Sequence, residues 1–111
     1  QFLSARRIFS ISSSVSTSMD HTVSSHQWGL SGITAVGTLH LDQAQVCSVT
    51  AAPLFGDVKV LFLSADGTSL LWTTDDPADL SLPAGTHTVY CVGKHFWGSM
   101  RAETPSPFHP A

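Results

Sequence analysis

The clearest hydrophobic pattern lies between residues 58 and 92, where short apolar runs are separated by turn chemistry. Residues 58–64 read VKVLFLS and lead into Ala65-Asp66-Gly67, and Asp-Gly between two apolar runs is the strongest short-range hairpin signal. The returning strand is then SLLWTT, residues 69–74. Asp75-Asp76-Pro77 forms the next turn, Leu80-Ser81-Leu82 a short strand, Pro83-Ala84-Gly85 another turn, and THTVYCV at 86–92 a further strand. Four extended segments in about 35 residues predict an all-β sandwich or barrel.

The rest of the chain fits that reading. Gly29 and Gly32 bracket a turn after Trp28, and residues 33–41 alternate as ITAVGTLHL, with Gly37 marking a bulge. Residues 45–51 make the next strand, closed by Pro53 and Gly56-Asp57, and a last strand runs over 96–102. Residues 1–27 are Ser-rich, and Ile8, Phe9, Ile11 and Val15 would give one face of an edge strand; a disordered tether is the other reading of the same Ser content. Such a terminal strand can also add to a neighbouring subunit's sheet edge. The tail TPSPFHPA at 104–111 carries three prolines and is a linker or an ordered arm, never a central strand. The organisation expected is therefore an N-terminal segment at 1–27, a core at 28–103 and a tail at 104–111. No stretch beyond about ten residues has a helical period, and no repeat is evident. The count comes to seven or eight strands in one antiparallel β-sandwich.

Composition narrows the setting. With 111 residues the chain is one domain, and only 12% of it is charged, about half the usual share. Ser and Thr supply the missing polarity, a composition common in extracellular and virion-surface β-domains and in proteins that bury surface against other subunits. The net charge of −3, with Arg6, Arg7, Lys59, Lys94 and Arg101 as the fixed cations, argues against a nucleic-acid footprint. No run of 18 apolar residues predicts a membrane span. The start at Gln1, without Met or an apolar leader, suggests a processed protein or an excerpt of a longer one.

Cys47 and Cys91 each fall inside a predicted strand. On facing strands they would form one disulfide closing a loop of about 44 residues, worth about 3–4 kcal/mol in the chain-entropy picture; two buried free thiols are the alternative. The first cysteine on a core strand, an apolar strand about 13 residues on, and a second cysteine after an Ala-Gly turn resemble an immunoglobulin-type sandwich between Cys47 and Cys91. The chain departs from that pattern in three respects. Phe62 stands nearest to where a Trp belongs, Tyr90 is adjacent to Cys91, and the cysteine spacing is short. The resemblance implies a shared sandwich architecture, and a jelly roll or protruding-domain sandwich gives much the same strand pattern.

Candidate chemistry is sparse. Of six histidines, His40 lies two residues before Asp42, which on a strand places both on one face, but no third ligand has a fixed spacing. Asp75, Asp76 and Asp79 form a loop cluster without the Gly and terminal Glu of a calcium loop, and ordinary turn capping explains them. No nucleophile elbow is present, and Cys91 and His87, four apart on a strand, stand about 13 Å apart. Neither an enzyme nor a cofactor is expected. Trp28, between Gln27 and Gly29, and Trp97, between Phe96 and Gly98, sit in loop-like context, where rings stack on sugars, anchor interfaces or cap the core. Trp72 ends an apolar strand and reads as core. The expected function is a non-enzymatic binding or assembly module at an extracellular or virion surface, such as a capsid protruding domain, fibre or adhesion-type domain. Its partners would be protein subunits or a surface receptor, with a glycan as a further option, in a homo-oligomer or as part of a larger chain. A carbohydrate-binding module using Trp28, Trp97, Phe96 and Gln27 is the alternative, and a small secreted enzyme or inhibitor a third reading.

Overall fold

Inward-facing apolar residues alternate with outward polar ones along three long strands, and these strands make most of the molecule. The structure is a computed structural model and describes residues 13–19, 21–105 and 108–109. The strands are β1 (Ser13–Met19), β2 (Thr22–Leu41), β3 (Gln45–Ser64), β4 (Ser69–Thr73), β5 (Asp79–Leu82), β6 (Gly85–Glu103) and β7 (Phe108–His109). All pairings are antiparallel. The sheet runs β1-β2-β6-β3-β4, with β5 also on β3 and β7 also on β2. Among the described residues there is no helix.

A straight strand of 20 residues is about 66 Å long, whereas the longest dimension of the molecule is 43 Å. The long strands must therefore bend, and the ladders show where. Apart from a slip between Ala35 and Gly37 on β2, which is the bulge predicted at Gly37, register slips cluster between Trp28 and Gly32 on β2 and between Pro53 and Asp57 on β3, both opposite residues 93–98 of β6. The backbone enters the left-handed region there, at Gly29, Gly56 and His95. At Gly56 this permits close approach as well, because a Cβ would overlap the His95 carbonyl. The sheet thus has one transverse crease. On one side of it β2, β6 and β3 are flanked by β1 and β5, on the other by β7 and β4.

This crease changes the expected strand boundaries. The segments predicted separately at 45–51 and 58–64 are one strand, β3, and those at 86–92 and 96–102 are one strand, β6. The turn expected at Gly29 and Gly32 lies inside β2, which also runs across the boundary drawn between 27 and 28. Ile8, Phe9 and Ile11 lie outside the described residues; Val15 is in β1, the edge strand on β2. The 65–67 turn is a true hairpin. Gly67 N–H donates to the Ser64 carbonyl at 3.0 Å, and β3 and β4 pair from Leu63–Ser69 to Lys59–Thr73. Thr68 N–H donates to Asp66 at 2.9 Å, which holds that carboxyl below its usual range.

Buried residues from both sides of the crease form a single core. Val23, Val49, Leu82, Met100 and Ala102 come from one side, and Leu39, Val60, Phe62, Trp72, Val89 and Phe108 from the other. Burying each large side chain contributes about 1.5–3 kcal/mol. Trp72 also donates its Nε1–H to the Pro77 carbonyl at 2.9 Å, which ties the 74–78 turn to the core. His87 is buried and donates from Nε2 to the Pro83 carbonyl at 2.8 Å.

The expected disulfide is absent: Cys47 and Cys91 are both free and buried. Although β3 and β6 are neighbours, their register sets Cys91 opposite Val60, while Cys47 faces Leu80 on β5. Thirteen residues of β3 (60 − 47) separate the two positions along the ladder. Burial pushes the Cys47 thiol up to about 12 and the Cys91 thiol up to about 11, so both are neutral.

Candidate functional site

At the crease, the register aligns aromatic residues across three strands on the face turned away from the core. Trp28 of β2 pairs with Trp97 of β6, and Trp97 pairs with Phe55 of β3. Directly opposed residues share a face, with Cβ atoms about 4.5–5.5 Å apart. Trp28 and Trp97 are each 41% exposed, Phe55 68% and its neighbour Leu54 77%. Large rings left in water when an inward position lies one residue away are the informative departure from burial rules.

Local chemistry fixes this row. Gly98, beside Trp97, has no room for a Cβ, which would overlap the Ala52 carbonyl oxygen and approach Pro53 Cα to 2.9 Å. That contact draws β6 against β3 beneath the rings. The indole of Trp97 lies over Gly29, within 3.6 Å of where a Cβ would be. His26, two residues before Trp28 and so on the same face, stacks on it with ring centroids 6.5 Å apart and planes 25° apart. His95, a non-glycine residue with positive φ at 51°, is held by Ser31, whose Oγ accepts its N–H at 3.1 Å. A groove of about 300 Å³ opens between Trp28, Leu54, Trp97 and Ser99.

Beyond the rings, toward the β1 and β5 side, the outer face of β2 and β6 is polar. His26 pairs with Ser99, Ser24 with Arg101 and Thr22 with Glu103, so these side chains stand in rows on β2 and β6. Arg101 Nη2 meets Glu103 Oε1 at 2.6 Å. A groove of about 610 Å³ runs along this face past Thr22, Ser24, His26, Ser99 and Arg101.

The sequence-predicted residues divide accordingly. Trp28 and Trp97 are brought together on the surface. Phe96 is fully buried, and Gln27 is buried with its Nε2 donating to Ser25 Oγ, so neither side chain reaches the outer face. His40 and Asp42 do meet, Nε2 to Oδ1 at 3.3 Å, on an open surface where His40 Nδ1 also hydrogen-bonds Thr86 Oγ1 at 2.9 Å. Asp76 is a turn cap that accepts the Thr73 N–H at 2.9 Å, Asp75 follows β4 and Asp79 opens β5. Among the described residues no three His, Cys, Asp or Glu side chains come together as a metal site. Leu54 and Phe55 were missed by sequence reasoning because Pro53 and Gly56 make them look like a turn; two adjacent apolar residues in a supposed turn were the available signal. Comparison with protein-family models finds no match, and comparison with curated proteins finds no relative.

Proposed function

We propose that the protein is a non-enzymatic binding and assembly module whose contact surface is the row Trp28, Trp97, Phe55 and Leu54. The carrying observation is the register Trp28–Trp97–Phe55, which exposes three rings side by side on one face. Rings of this kind anchor interfaces, because they release much apolar area from water at little conformational cost. The occupant is a further copy of the chain or a subunit of the same assembly. The low charge, 12% of residues, supports this, since little electrostatic repulsion or desolvation opposes contact between copies. In this reading the creased sheet is a β-sandwich of the immunoglobulin-like or jelly-roll-like class, and the module works at an extracellular or virion surface. The single core drawn from both sides of the crease supports the sandwich.

A second reading, carbohydrate binding, is favoured by the His26–Trp28 stack beside an open groove. Tryptophan emission separates the two. Contact between copies shifts emission to the blue as protein concentration rises, with no added ligand. Sugar binding shifts it only on titration with saccharide, at any protein concentration. Emission that responds to neither overturns both readings of this surface.

A further inference from the structure

We infer that the polar outer face beside the aromatic row is a binding site for a neutral oligosaccharide, laid along the β2–β6 ladder with one sugar ring on Trp28. The inference deepens the carbohydrate reading and is separable from assembly through Phe55, which sits in the crease on β3 and lines neither groove.

The chemistry of the face selects the ligand class. Thr22, Ser24 and His26 on β2 stand opposite Glu103, Arg101 and Ser99 on β6, all facing outward. None of these six is a large apolar side chain; at the end of the face away from the rings an exposed apolar residue, Val46 of β3, lies beside Thr22 and Glu103. Its fixed charges are one cation and one anion, Arg101 and Glu103, in contact at 2.6 Å. Their sum is zero, so the face does not favour a carboxylated, sulfated or phosphorylated ligand. A guanidinium has five N–H donors and a carboxylate about four acceptor sites, so the pair sets donors and acceptors side by side. Vicinal hydroxyls, each both donor and acceptor, match that arrangement, and Ser24, Ser99 and His26 continue it toward the rings.

Trp28 supplies the apolar element. A sugar ring has one C–H-rich face that stacks on an indole, and this indole is exposed and steadied by the near-parallel His26 ring. Arg101 lies four residues from Trp97 on one strand, about 13 Å away along the ladder. A ligand reaching both ends is therefore longer than a single sugar; the groove of about 610 Å³ runs from Arg101 to His26 and Ser99, and these two residues also line the smaller groove beside Trp28 and Trp97.

The test is a titration of the protein, dilute enough to prevent self-contact, with neutral xylo-, cello-, chito- and galacto-oligosaccharides, plus a sialylated and a sulfated glycan as charged controls. Tryptophan emission and backbone amide shifts are the readouts. At least one neutral oligosaccharide should bind, with shifts confined to 22–28 and 97–103, and more tightly as its length grows. Trp28→Ala and Arg101→Gln should each weaken it about tenfold, the loss expected for one stacked ring or one charged hydrogen bond. Phe55→Ser, which leaves the face intact, should bind the sugar like the unaltered protein. No response to the neutral panel up to millimolar concentration overturns the inference, as does stronger binding of the charged glycans. Unchanged affinity in both Trp28→Ala and Arg101→Gln overturns it as well. If sugar binding fails while Phe55→Ser still abolishes self-contact, the oligosaccharide site falls and the assembly reading stands.

Discussion

Gly98 shows how one residue holds the surface in place. A methyl group there would meet the Ala52 carbonyl and Pro53 Cα, both backbone, so β3 and β6 would have to separate beneath Trp97. Gly98→Ala should lower stability by about 2–4 kcal/mol, seen as a lower urea midpoint at unchanged slope. The thiols act through pH. Burial raises Cys47 to about 12 and Cys91 to about 11 from an ordinary 9.0. In the unfolded chain they ionise near the ordinary value, while in the folded protein they stay protonated, so their contribution is complete below about pH 9 and declines from there toward pH 11–12. Replacing Cys47 by Ala should make the alkaline loss of stability shallower, as measured by denaturant melts at pH 8 and pH 10, a bracket chosen around the ordinary thiol value of 9.0. A steeper alkaline loss would contradict the buried, free thiol. The intact mass should equal that of the fully reduced chain, with no loss of two hydrogens.

Among the elements, the β3–β4 hairpin was legible because its signal is local: Asp66 and Gly67 carry the turn wherever they stand, and the flanking alternation fixes the faces. The crease was not. Gly29, Pro53, Gly56 and Gly93 are the residues that make turns, and they are also the residues that make bulges. What distinguishes the two is whether the ladder resumes beyond them, and that depends on partners dozens of residues away. The same ambiguity hid which aromatic residues face outward. Trp28 and Trp97 stood out by type, but alternation could not say whether Trp97 or Phe96 faced outward, because the bulge resets the phase. Register alone puts Phe96 in the core and Phe55 beside Trp97. The core positions support a sharper expectation. Phe62, fully buried on β3, should cost about 3–5 kcal/mol when cut to Ala, whereas Trp72→Phe should cost only about 1 kcal/mol for the lost Pro77 hydrogen bond plus a small packing loss. Thermal melts distinguish the two.

For the whole molecule, the crease has two consequences. It folds 20-residue strands into a body 43 Å long with one shared core. It also bends the outer surface where Trp28, Trp97 and Phe55 align, so that the ring row stands at the turn of the sheet. The central claim is that this row is a contact surface between copies. Sedimentation velocity over a range of protein concentrations tests it most directly, run on the unaltered chain and on Phe55→Ser with Leu54→Ser. The account predicts a sedimentation coefficient that rises with concentration in the unaltered chain and stays at the monomer value in the double variant, with both equally folded. A coefficient independent of concentration in the unaltered chain, or the same rise in both proteins, would contradict it.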